Sequence, residues 1–282
     1  MRAIDWNHIT ITDNYMFGTV FRDPLLCQEL LERILNIPID KVVFTGAEHT
    51  LSPEIGARGI RMDVHVADSA GTIYDVEVQN ANEGNLERRS RYYLSANDID
   101  CIAPGIAYDE MRNSFVIFIC TFDPFGRGLS RYTITPHCKE DGVEMPDGTS
   151  RIFVNASAWN TCEDARLKPF LQYLSGDTMV DDDFSKKVDQ AVRMVRQQPE
   201  WRRNRMKLER YLEEQRIKAI REGRAEGREE GREEGRAEDQ RANAALAAAL
   251  VEASREQELV EAMLNEDVRQ RLLAEFGIHM GS

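Results

Sequence analysis

An α/β fold carrying a helical C-terminal extension is what this sequence predicts, and three observations predict it. Two alternating runs, 60–66 and 72–79, are separated by turn residues and read as paired strands. Helical patterns lie on either side of them, at 24–35 and 86–101. From Cys162 onward the character is helical. With 282 residues, 42% of them hydrophobic, the chain can fill one medium-sized core and still carry helical additions.

The elements follow in order. Asp23-Pro24 opens a helix, a capping carboxylate followed by proline at the first helical position. Leu26, Leu30, Leu31, Ile34 and Leu35 mark its apolar face, and Asn36 to Pro38 stops it. Lys41 to Phe44 reads as a short strand and Thr45 to Gly59 as a loop. In the run Ile60 to Val66, alternation puts Met62, Val64 and Val66 on one face and Asp63 and His65 on the other. Asp68 to Gly71 supplies a turn, so the next run returns as the second strand of a hairpin. There Tyr74, Val76 and Val78 share one face, and Asp75, Glu77 and Gln79 share the opposite, polar one. Asn85 is placed to cap a helix running from Leu86 to about Cys101. Phe115 to Phe122 is nearly all apolar, as a strand covered on both faces requires. Arg131 to Thr135 and Ile152 to Asn155 read as further strands.

The expected organisation is a core over 1–175, a basic helical arm over 176–221, a Glu-Gly-Arg repeat over 222–240 and a helical tail over 241–282. Within the arm, Lys186 to Arg210 holds nine cations against Asp189, Glu200 and Glu209, enough to neutralise backbone phosphates unless it is simply a solvated helix face. In the repeat, Gly223, Gly227, Gly231 and Gly235 fall four apart, one stripe of a helix. Each glycine costs about 1 kcal/mol relative to alanine, against about 0.2–0.5 kcal/mol returned by each Glu–Arg pair. Such a stripe suits a second backbone packed closely against it, and otherwise a flexible spacer.

A formal net charge of −13 argues against a chain that coats nucleic acid through its overall field, but not against a local basic patch. The five cysteines are scattered without a C-x-x-C pair, which points to reduced structural thiols rather than redox or zinc chemistry. Residues 1–13 lack an apolar signal core, and no apolar run approaches the roughly 20 residues that span a bilayer. No membrane association and a cytoplasmic location are therefore expected.

Asp63 and Glu77 carry the chemistry. They come from neighbouring strands and point to the same polar side, so a divalent cation can sit between them. Magnesium takes hard oxygen ligands and needs only one or two protein carboxylates plus waters. Manganese is an expected substitute. The carbonyl of Val78 can add a ligand, and Gln79 can hold a water or a phosphate oxygen. A cation so placed polarises a phosphoryl oxygen and lowers the pKa of an attacking water. Against this stands the general case that one Asp and one Glu on exposed strand faces are solvated surface.

The flanking residues favour chemistry. Arg61 to Val66, the glycine-containing turn and Ile73 to Gln79 resemble the core of the PD-(D/E)XK nuclease superfamily, and more narrowly its recombination-promoting nuclease (Rpn) and transposase branch. Thr12 to Phe17, Arg89 to Ser95, the strand Phe115 to Phe122 and the Glu-Gly-Arg repeats match as well, so the resemblance covers about residues 10–240. It implies a restriction-endonuclease-like central mixed β-sheet flanked by helices, and a magnesium-dependent DNA endonuclease with Asp63 and Glu77 as metal ligands. Gln79 stands where the wider superfamily has a lysine, and glutamine brings no charge.

Around that centre, Asp13 reads either as a site residue or as a helix cap, and Asp75 as a supporting carboxylate or plain surface. His65 reads as a surface or packing histidine. Arg88, Arg89 and Arg91 suit phosphates of the cut strand, or else ion pairs with Glu83 and Glu87. Tyr92 and Tyr93 read as packing or supporting groups rather than base-stacking ones. The competing expectation is a catalytically inactive nuclease fold serving as a DNA-binding or assembly module, and a homo-oligomer formed through the C-terminal helices is a further expectation.

Overall fold

The computed structural model describes residues 5–44, 50–51, 60–61, 63–101, 107–177 and 180–278. The chain divides into two compact units, 1–205 and 206–282.

In the first unit, α1 (Asn14–Val20) and α2 (Pro24–Leu35) precede the strands β1 (Val43–Phe44), β2 (Thr50–Leu51), β3 (Ile60–Arg61), β4 (Val64–Ala67) and β5 (Ile73–Gln79). The helix α3 (Leu86–Cys101) follows, then β6 (Ser114–Cys120), β7 (Arg131–Ile134) and β8 (Thr149–Asn155), and the helices α4 (Leu167–Leu174) and α5 (Asp183–Gln197). Asp23 caps α2 as its sequence suggests, accepting from the N–H groups of Leu25 and Leu26 at 2.9 and 3.1 Å. Asn36, at φ 56°, ends it in the left-handed region.

Six strands form one mixed sheet in the order β1-β4-β5-β6-β8-β7. β5, β6 and β8 run parallel, while β4 and β1 on one side and β7 on the other are antiparallel to their neighbours. This is the restriction-endonuclease-like arrangement of a mixed sheet with flanking helices. β2 and β3 form a separate two-stranded ribbon. The run expected as one strand from Ile60 to Val66 is thus two, with Asp63 in a bend between β3 and β4 and Met62 outside the described residues. Most of the expected loop 45–59 also lies outside them.

The sheet is covered on both faces. Val64, Val66, Tyr74, Val76, Val78, Ile117 and Ile119 join side chains of α1, α2, α4 and α5 in the main core, among them Phe17, Leu30, Phe170 and Phe184. On the other face Val116, Phe118, Cys120 and Phe153 pack against Leu86, Tyr93 and Ala96 of α3. That cover overturns one expectation. The polar face of β5 is not exposed: Asp75 is 0% and Glu77 4% accessible. Alternation sorts the two faces of a strand, but what covers each face depends on distant segments. Asn85 stands at the start of α3 as expected, its backbone carbonyl accepting from the N–H of Arg89 at 2.9 Å, but its side-chain oxygen is buried without a hydrogen-bond partner among the described residues.

α6 (Pro199–Glu252) begins in the first unit and continues into the second, where α7 (Glu256–Leu264) and α8 (Glu266–Glu275) fold back on its end. Leu246, Leu250, Leu272 and Leu273 make a small core there. The Glu-Gly-Arg repeat lies wholly within α6 as continuous helix, and nothing stands within 4 Å of the position a Cβ would take at Gly223, Gly227, Gly231 or Gly235. Among the described residues no helix is long and apolar enough to cross a membrane.

Candidate active site

β4 and β5 pair with His65 opposite Asp75 and Val64 opposite Val76, and Asp63 lies in the bend just before β4. Asp63 is tied to that position, since its Oδ2 accepts from the N–H of Val78 at 3.1 Å. It is also pressed from behind. A Cβ on Gly18 of α1 would lie 2.7 Å from the Asp63 carbonyl oxygen. Helix and strand meet there backbone to backbone, so neither can swing aside as a side chain would. Gly18→Ala is expected to cost about 1–3 kcal/mol as overpacking, or a loss of roughly 3–10 °C in a thermal melt. An unchanged melting temperature would show that α1 yields freely at this contact.

α1 is itself anchored. Asp13 caps it, with Oδ1 accepting from the N–H of Met16 at 3.0 Å and Oδ2 from Arg205 at 2.9 Å. Asn80, just past β5, donates to the Thr12 carbonyl at 2.6 Å. Asp13 therefore acts on the site through the helix it starts.

Glu77 is the electrostatic centre. Burial pushes its carboxyl up to about 8, the charge of Asp63 adds to the effect, and Arg89 and a hydrogen bond from Tyr93 oppose it. Its Oε2 accepts from Gln79 Nε2 at 3.2 Å and from an Arg89 guanidinium nitrogen at 2.7 Å. Arg89 also donates to Gln79 Oε1 at 3.0 Å and to the Tyr93 hydroxyl at 3.1 Å. Arg89, expected among phosphate-binding cations, is thus engaged with Glu77 and Gln79, whereas Arg88 and Arg91 are exposed on α3.

Asp75 sits one rung from Glu77 on the same strand face, but its carboxylate is engaged elsewhere. It accepts from Asn97 and is hydrogen-bonded to His65 Nδ1, and Asn97 donates in turn to Ser114 Oγ at 3.0 Å. These four side chains form a buried polar chain from β4 through β5 and α3 to β6, so His65 is an interior partner and not a surface group. The basic arm is likewise drawn into the fold, with Lys187 paired with Glu29 and Arg205 with Asp13, while Arg193 pairs with Asp189 within its own helix.

The sequence reading missed Gly18, Asn97 and Ser114. A glycine inside a helical run signals a packing reason. Arg89, Tyr93 and Asn97, four apart, fall on one stripe of α3. Both signals were readable, although their partners were not.

The donor set suits a hard divalent cation. Two carboxylates lie close together, and the Asp63 charge raises the cost of ionising Glu77, which a cation would relieve. Among the described residues no group of three or more His, Cys, Asp and Glu could hold a metal ion, and magnesium needs no such group. A family model described as PD-(D/E)XK nuclease family transposase matches residues 14–228, a span that includes α1, the whole mixed sheet and α3. No curated protein and no solved structure matches the chain.

Proposed function

Because the chain belongs to the PD-(D/E)XK nuclease family transposases, we propose that it is a magnesium-dependent DNA endonuclease of the recombination-promoting type, hydrolysing phosphodiester bonds by attack of water. The observation that carries this reading is the closeness of Asp63, fastened to the N–H of Val78, to the buried Glu77 whose carboxyl its charge raises, a cost in charge repulsion that an unused site has no need to bear. Asp63 and Glu77 would hold the cation, with the carbonyl of Val78 as a further ligand. Once bound, a divalent cation supplies Lewis-acid polarisation of the phosphoryl oxygen and lowers the pKa of the attacking water. Gln79 can orient that water or a phosphate oxygen through its amide, being neutral and within reach of Glu77. Arg88 and Arg91 would meet neighbouring phosphates and set the strand's position without reading its sequence. Asp75, held by His65 and Asn97, keeps the two metal-bearing strands in register.

A second reading has one observation in its favour. Glu77 is nearly buried and already paired with Arg89, as suits an inactive nuclease fold kept as a DNA-binding or assembly module. Plasmid DNA incubated with Mg2+, with Mn2+ and with chelator separates the two. Nicking that needs the metal and stops with chelator is the expected result. Retention of DNA without cleavage under every condition would replace the endonuclease with the module.

A further inference from the structure

Resting on the metal-dependent reading above, we propose that Arg89 is a cation-released phosphate clamp: it holds Glu77 before the metal binds, and is turned over to the scissile phosphate when the metal takes Glu77.

Three features of the geometry lead there. First, Arg89 and the cation want the same carboxylate. Glu77 Oε2 accepts from both Arg89 and Gln79, and that oxygen cannot serve a cation fully while the guanidinium holds it. A guanidinium within bonding distance of Glu77 also repels a divalent ion arriving there.

Second, losing Glu77 would not set Arg89 adrift. It would keep Gln79 Oε1 and the Tyr93 hydroxyl as acceptors. Its guanidinium also lies 5.7 Å from the centre of the Tyr93 ring and 5.3 Å from that of Phe118, contacts that favour a cation over an aromatic face. The released group would remain at the site with donors unspent, in the planar fork that suits two phosphate oxygens. It is 27% exposed against 5% for Glu77, so it stands on the solvent side of the carboxylate.

Third, the site is acidic, with Asp75 adding to the field of Asp63 on Glu77, and Arg89 is the cation that offsets it. Asp63 and Glu77 bring two negative charges and a divalent cation cancels them. The phosphodiester then adds one more negative charge to a largely buried centre, and Arg89 is the cation in place to offset it. Gln79, beside it, brings none.

The test uses two readouts that a merely structural role would move in the same direction. Arg89→Met keeps an apolar stem against Phe118 and Tyr93 but removes the charge. Mn2+ binding to the DNA-free protein, followed by titration calorimetry at pH 8.5, should tighten roughly tenfold in the variant. Binding of a short DNA duplex to the Ca2+-loaded protein should weaken roughly tenfold. Weaker or unchanged Mn2+ binding would overturn the proposal, and so would unchanged duplex affinity. If Arg89→Met does not fold, as judged by its thermal melt, the neutral but hydrogen-bonding Arg89→Gln is held to the same two results. A wild-type protein that shows no metal-dependent cleavage refutes the endonuclease reading. A wild-type protein that cleaves, beside a variant whose Mn2+ affinity does not tighten, refutes the clamp alone.

Discussion

Asp63→Asn is expected to lower metal-dependent DNA cleavage at least about a thousandfold while leaving the melting temperature of the metal-free protein unchanged or slightly higher. The two halves have different origins. Asparagine is nearly isosteric, and its carbonyl oxygen can still accept from the N–H of Val78, the 3.1 Å bond that fastens Asp63 to β5. The join between the strands should therefore survive. What disappears is one of two carboxylates available to a divalent cation. A cation that polarises the phosphoryl oxygen and prepares the water is worth several kcal/mol of the barrier, and each 1.36 kcal/mol is about a factor of ten in rate. Stability does not fall, because the Asp63 charge is the second cause of the raised Glu77 carboxyl, after burial, and removing it relieves that neighbour. Plasmid nicking rates and thermal melts on the same preparations check both halves. A variant that cuts at the wild-type rate would remove Asp63 from the site altogether.

Glu77→Gln should likewise lose cleavage but with a larger gain in stability, and the gain should depend on pH. The folded protein holds the Glu77 proton up to about pH 8, against an ordinary value of 4.5. It therefore binds that proton more tightly than the unfolded chain does. Stability from this group is complete below pH 4.5 and is lost as pH rises through 8. The full loss is on the order of 5 kcal/mol, from about 1.4 kcal/mol per unit. Glutamine does not ionise and carries no such loss, and Arg89 keeps its bonds to Gln79 and Tyr93. The variant should thus melt roughly 10 °C above the wild type at pH 9, at about 2–4 °C per kcal/mol, and only slightly above it at pH 5. Mn2+ should narrow the difference at pH 9 by stabilising the wild type alone. A difference that stays constant between pH 5 and pH 9 would mean that ionisation of Glu77 is not what the fold is working against.

The stability gain expected of Glu77→Gln and the activity loss expected of Asp63→Asn describe one design. On the proposed reading, the fold tolerates a buried carboxylate beside a second one because both would serve the same ion. The buried chain of His65, Asp75, Asn97 and Ser114 occupies the adjoining polar positions and ties β4, β5, α3 and β6 together through hydrogen bonds.

Local information determined a good deal of this protein by itself. The hairpin of β4 and β5, the cap and stop of α2, the extent of α3 and the buried character of β6 all follow from interactions within a few residues: period-2 alternation, an Asp-Pro start, a left-handed asparagine, an unbroken apolar run. The register of β4 against β5 was legible for the same reason, because a short turn sets the register of the strands it joins.

Tertiary structure alone decided what those side chains face. That α3 buries the polar face of β5, that Arg89 closes on Glu77 and Gln79, that Gly18 presses on the Asp63 carbonyl, and that cations of the basic arm are matched by Glu29 and Asp13 are contacts between segments far apart in the chain. Strand periodicity states which residues share a side but not what lies beyond them. That depends on how the whole chain closes, and a carboxylate on a covered face differs physically from one in water: burial raises its pKa, strengthens its interactions and makes a counter-ion worth holding.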